Sequence, residues 1–313
     1  MGEQLGEVDD ATRQDDATRR DDGIKARLDR FQTGRKPIAF LVGVIKKFVE
    51  DRGSRLAALV AYFGFFSLFP ALLALVTILG FVLEGHEDLR NRIQESALAQ
   101  FPVIGDSLGG ALEHPLTGNT VALVIGLVGA LWAGLGAMQA AQEGMNTIWG
   151  VSRADRPKFF AKRARSIGAL VLIGTLFGVT AVVPQITGAF TSGPFGIVVL
   201  FVSSAVIDSA AFLVAFRVLT AARTTWRELL PGAVLAGVAY LVLQSLGTLY
   251  ISRVLQGAQN TYGTFAVVIG LLSWMYLLAQ VTMFAAEVNV VSARGLWPRS
   301  LFDKPRPEAN GNG

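Results

Sequence analysis

The sequence predicts an all-α integral membrane protein of six transmembrane helices, preceded by a cytoplasmic amphipathic helix and with an amphipathic segment outside between helices 1 and 2. Three observations predict it. The 313 residues are 52% hydrophobic and only 17% charged, a balance far from that of an ordinary soluble chain. Uncharged runs repeatedly reach the roughly 20 residues that a helix needs to cross hydrocarbon. Lys and Arg gather in alternate connecting segments, the pattern left by retention of positive charge on the cytoplasmic side.

Residues 1–35 read as a disordered cytoplasmic tail, with the imperfect repeat Asp-Asp-Ala-Thr-Arg-Gln from Asp9 and Asp-Asp-Ala-Thr-Arg-Arg from Asp15. So little apolar content cannot offset the entropy of ordering. The first 30 residues hold no apolar stretch, so no cleavable secretory signal is read and the first span acts as the insertion signal. After Pro37, Ile38, Leu41, Ile45 and Phe48 recur at helical spacing, with Lys46, Lys47, Glu50, Asp51 and Arg52 towards the other face. That is the pattern of a helix lying in a membrane interface.

The membrane domain covers 36–293, with spans at about 57–83, 119–149, 166–190, 197–221, 229–251 and 264–292, and residues 294–313 form a second cytoplasmic tail. Between the first two spans, the charges of Glu84–Gly118 are mostly acidic, Glu84, Glu87, Asp88, Glu95, Asp106 and Glu113 against Arg90 and Arg92, and Leu89, Ile93, Ala97 and Phe101 keep helical spacing. This segment is either a structural cap or a vestibule. Lys and Arg number twelve in residues 1–56, six in 150–165, two in 222–228 and four after 292, against two in 84–118, none in 191–196 and one in 252–263. Twenty-four against three places both termini in the cytoplasm.

Small residues mark expected helix contacts: Gly126, Ala130 and Gly134 in the second span, Gly174 and Gly178 in the third. Pro70 and Pro184 each remove a backbone donor within a span and predict kinks.

Polar side chains inside a membrane are costly and are therefore the candidate functional residues. Asp208 stands near the middle of span four, one turn after Ser204, with Arg217 about 13 Å further along the helix. It is either a hydrogen-bonding structural residue or a proton or substrate site. Gln139, Glu143 and Asn146 share a face of span two; Tyr276, Gln280 and Glu287 share one of span six, with Asn289 beside them. These stripes either bond one another between helices or line a polar pathway open to the cytoplasm.

The composition excludes several chemistries. With no cysteine, thiolate metal sites, disulfides and Cys nucleophiles are impossible. The two histidines, His86 and His114, are not at metal-ligand spacing, no phosphate-binding glycine loop occurs, and no nucleic-acid reading motif is present. No cofactor, metal or nucleic acid is expected. The expected partners are the lipid bilayer, a lipid or small polar substrate, and a second copy of the chain.

Several segments together resemble the YihY/BrkB family of bacterial inner-membrane proteins. They are Asp51-Arg52 leading into Leu56–Pro70, Gln142-Glu143-Gly-Met-Asn146-Thr-Ile-Trp149-Gly150, Leu230-Pro231-Gly232, Tyr262–Ala266, and Ala286-Glu287-Val-Asn289. The resemblance runs from about residue 36 to 293 in family order, and it implies six membrane helices with both termini inside. At the end of span four, Thr220-Ala221 stands where the family has Leu-Pro, and Asp208 is outside the family pattern. The ribonuclease BN label carried by family members implies a nuclease, whereas this chain has no metal-binding cluster or soluble cleft to support one. The expected function is a transporter or flippase for a polar or amphiphilic substrate. The alternative is a membrane scaffold; the chain is not expected to be an enzyme.

Overall fold

The computed structural model describes residues 36–82, 120–156, 159–188, 193–250 and 264–299. The N-terminal tail, the acidic outer segment with both histidines, and the chain from 300 onward lie outside the described residues. So do the connections at 189–192 and 251–263.

Seven α-helices and no strand occur among the described residues. Helix α1 is Lys36–Glu50, α2 Gly53–Val82, α3 Thr120–Ile148, α4 Phe159–Gly188, α5 Gly193–Leu219, α6 Trp226–Tyr250 and α7 Thr264–Ala293. Each of α2 to α7 covers one expected span, offset by a few residues. Five carry a stretch long and apolar enough to cross a membrane, in α2, α3, α5, α6 and α7. Helix α4 is outside that group; its first turns hold Lys162, Arg163 and Arg165.

Local chemistry sets several boundaries. Helix α3 ends at Gly150, whose φ of 62° suits a residue without a Cβ. Helix α6 begins with a reciprocal cap: the Thr225 amide donates to Glu228 Oε2 at 2.8 Å, and the Glu228 amide donates to Thr225 Oγ1 at 3.4 Å. Helix α2 continues through Pro70, which has no N–H to give to the Phe66 carbonyl. Helix α4 likewise runs through Pro184, a position whose side chain lies outside the described residues.

Neighbouring helices close a ring, α2 against α3, α3 against α4, and so on to α7, which packs back against α2. Glycines allow the closest approaches. A Cβ on Gly129 would meet the Pro70 ring and one on Gly136 the Phe63 ring, so these glycines of α3 receive side chains of α2. Gly134 lets Leu170 of α4 approach, as the sequence predicts. Gly174 behaves otherwise: a Cβ there would meet nothing within 4 Å, so the Gly174–Gly178 spacing marks no contact at its first member.

The core sits at one end of the ring. It gathers Ala57 and Ala61 from α2, Met145 and Ile148 from α3, Phe212 and Phe216 from α5, Leu229 and Ala233 from α6, and Met283 and Ala286 from α7. This is the end that carries the basic connections. Towards the other end, in 121–132, 195–203, 241–247 and 265–275, the buried described residues are glycines: Gly126, Gly196, Gly247 and Gly270.

Helix α1 lies outside the ring against the C-terminal part of α7. Its apolar residues divide between two surroundings. Ala39, Gly43 and Val44 are buried against α7 and the turn after it, where Val288, Val291, Leu296 and Trp297 pack. Leu41, Ile45 and Val49 are exposed on the other side. Lys47, expected on the polar face, turns inward beneath Gly43.

Candidate polar centre at the basic end of the ring

Lys47 brings α1, α3 and α7 together. Its ammonium pairs with Asp51 one turn later, donates to the Ile148 carbonyl at 3.2 Å, and lies 3.7 Å from Glu287 Oε2. Glu287 is completely buried, and neither carboxylate oxygen has a hydrogen-bond partner. Lys47 is the cation that reaches this carboxyl, and a buried polar group without a partner is costly.

The stripe expected on α3 separates into two directions. Asn146 is buried and its Oδ1 accepts the Ala221 amide at 2.8 Å, so it closes the end of α5. Gln142, one turn before it, is also buried, and its Nε2 has no partner. Glu143 instead turns towards the connection to α4, where it pairs with Arg156 and stays 42% exposed. Gln139 is half-buried. The buried pair is thus Gln142 with Asn146; of the predicted Gln139, Glu143 and Asn146, Asn146 alone is fully buried.

Helix α7 distributes its polar residues likewise. Gln280 Nε2 donates to the Tyr276 hydroxyl at 2.8 Å and to Ser54 Oγ of α2 at 3.3 Å. Asn289 is buried and faces α6, where its Oδ1 accepts the Gly232 amide at 2.6 Å; its Nδ2 has no partner. A Cβ at Gly232 would overlap the Ala285 carbonyl and the Asn289 amide. The Leu230-Pro231-Gly232 segment is therefore where α6 and α7 approach most closely.

Asp208 and Ser204 occupy a different place, buried on α5. Tyr240 of α6 lies within reach of the Asp208 charge, hydrogen-bonds Gln244, and meets the Phe212 ring at 5.9 Å. The α5–α6 contact tightens at Gly237, where a Cβ would overlap Ser209. Arg217 reaches Thr224 instead, at 3.5 Å.

The basic end thus holds a lysine 3.7 Å from a buried carboxyl and three kinds of buried polar atom without a hydrogen-bond partner: the Glu287 oxygens, Gln142 Nε2 and Asn289 Nδ2. Such atoms ordinarily find a partner in a folded protein, often water. Sequence reasoning missed Lys47 and Gln142. Their signals were present: Ala39, Gly43 and Lys47 recur every fourth residue, and Gln142 stands one turn before Asn146. Among the described residues no three His, Cys, Asp or Glu side chains gather as a metal site.

A ring of long apolar helices with its core and inward polar groups at the basic end defines a polytopic α-helical membrane protein. The chain belongs to the virulence factor BrkB family, whose profile matches residues 44–307.

It is similar to the inner membrane protein YhjD of Escherichia coli, 24% identical over 80% of this chain and 80% of the relative. It is also similar to YfkH of Bacillus subtilis, named as ribonuclease-like, 24% identical over 81% of this chain and 95% of the relative. A UPF0761 membrane protein of Nitrosospira multiformis is 25% identical over 81% of this chain. The chain covers 60% of that longer relative. No solved structure is significantly similar to the chain.

Proposed function

We propose that this chain is an inner-membrane transporter or flippase-like protein that takes a polar or amphiphilic substrate from a centre open to the cytoplasm. The carrying observation is the set of buried polar atoms at the basic end that lack hydrogen-bond partners. In a lipid-embedded bundle such atoms are affordable when water or a polar solute completes them. In this reading α2 to α7 all span the bilayer, α1 rests on the cytoplasmic interface, both termini are inside, and the chain performs no covalent chemistry. The charge asymmetry of the connections supports the orientation.

Because the chain contains no cysteine, single cysteines report on water directly. Gln142→Cys and Ser204→Cys are placed in sealed vesicles and treated with a membrane-impermeant thiol reagent from each side, with Arg153→Cys as the exposed control. Labelling of Gln142→Cys from the cytoplasmic side, slowed by substrate, is the expected result. Protection of both buried positions while the control reacts would leave packed polar contacts and favour the scaffold reading.

A further inference from the structure

The corner where α4 begins and α5 gives way to α6 is strongly cationic in a way the polar centre does not use. Residues 159–228 contain Lys162, Arg163, Arg165, Arg217, Arg223 and Arg227 against two acids. Asp208 is nine residues, about two and a half turns, along α5 from Arg217, and Glu228 is engaged by the α6 cap. Arg165 binds the carbonyl of Val218, the residue next to Arg217, and lies within range of the Arg217 charge. Among the described residues neither has a carboxylate within ion-pair distance.

Arg165 is fixed in place by backbone. Its Nε donates to the Val218 carbonyl at 3.0 Å and an Nη to the Thr220 carbonyl, which satisfies the free carbonyls at the end of α5. A guanidinium has five N–H donors, so three of those on Arg165 remain. Arg217 spends one, at 3.5 Å, on Thr224. Two like charges held together without an acid are unfavourable until an anion joins them, and a phosphate offers oxygens matched to two guanidinium forks.

The surroundings fit a lipid. Phe160 at the start of α4 and Trp226 at the start of α6 are exposed, 84% and 54%, as aromatic residues are at headgroup depth. Along α4, Gly168 and Leu172 follow Arg165 three and seven residues on, on the same side of the helix, and both are exposed. A Cβ on Gly168 would meet open space. A cation therefore leads into an uncovered apolar surface, the order in which a phospholipid presents phosphate and then acyl chain.

We infer that Arg165 and Arg217, with the exposed face of α4 below them, form a site for the phosphate of an anionic phospholipid in the cytoplasmic leaflet. Basic pockets between membrane helices on that side are the usual means of holding such headgroups.

The test is native mass spectrometry of the full-length protein in detergent, titrated with phosphatidylglycerol, phosphatidylcholine or inorganic phosphate. Phosphatidylglycerol is expected to bind in preference to phosphatidylcholine. Arg217→Gln is expected to weaken that binding about fivefold; Arg165→Gln weakens it similarly, and Arg299→Gln, which removes a cation paired with Glu50, leaves it unchanged.

Inorganic phosphate at high concentration should compete with the lipid while binding more weakly alone. Equal retention of the two lipids, or equal loss in Arg299→Gln and Arg217→Gln, would overturn the site in favour of diffuse attraction. Phosphate binding as tightly as phosphatidylglycerol would make the ligand a free anion and overturn the lipid assignment. Arg217 supports no backbone carbonyl, so its substitution keeps the test interpretable if Arg165→Gln fails to fold.

Discussion

Among the described residues, the buried carboxyl of Glu287 is approached by one cation, Lys47. Removing Lys47 leaves a carboxyl with no exposure and no hydrogen-bond partner, and a buried polar group left without a partner costs about 1–3 kcal/mol. Lys47→Met is therefore expected to lower the melting temperature of the purified protein sharply, and Lys47→Met with Glu287→Gln to recover most of the loss. A double variant as unstable as the single one would mean that Lys47 acts through Asp51 or Ile148 instead. At this scale the sequence was partly legible. The rarity of intramembrane acids singled out Glu287 and Asp208, because burial of charge is costly wherever it occurs. Which neighbour answers each of them was not legible: Lys47 stands among the other charges of α1 in sequence, and only the packing of Gly43 on α7 turns it inward.

Helices that cross one another closely do so on glycine. At Gly232 an added methyl would overlap the Ala285 carbonyl and the Asn289 side chain, both held by the packing of α7. Gly232→Ala is expected to destabilise by about 1–3 kcal/mol, the cost of overfilling a packed site, read as a lower melting temperature. Gly174→Ala, at a position with open space around it, should leave melting unchanged or raise it slightly through helix propensity. Equal effects of the two substitutions would contradict the packing described. The sequence presents these glycines alike, since spacing records which residues are small and not which neighbour each one faces. Helix extents were far more legible, because a run of apolar residues is a property of the chain itself. Thus the expected 119–149 became Thr120–Ile148 and 264–292 became Thr264–Ala293.

At the scale of the whole molecule, the positive-inside asymmetry and the position of the core coincide: the basic connections lie at the densely packed end. The topology is tested by fusing alkaline phosphatase or a fluorescent protein to each terminus. Inactive phosphatase and bright fluorescence at both ends are expected; active phosphatase at either end would reverse that part of the reading. The lopsided core has a mechanical consequence as well. Among the described residues, bulky side chains knit the helices where the basic connections lie, while the buried positions towards the far ends of α3, α5, α6 and α7 are glycines, which have no side chain to interlock. Each of these four helices is thus a lever clamped near one end. A helix of 25 residues is about 37 Å long at 1.5 Å per residue, so tilting it 10° about the clamp sweeps its free tip through about 6 Å. Small rearrangements around Glu287 and Asn289 are geared up with distance, and the largest displacements fall on the membrane face opposite the place where they originate.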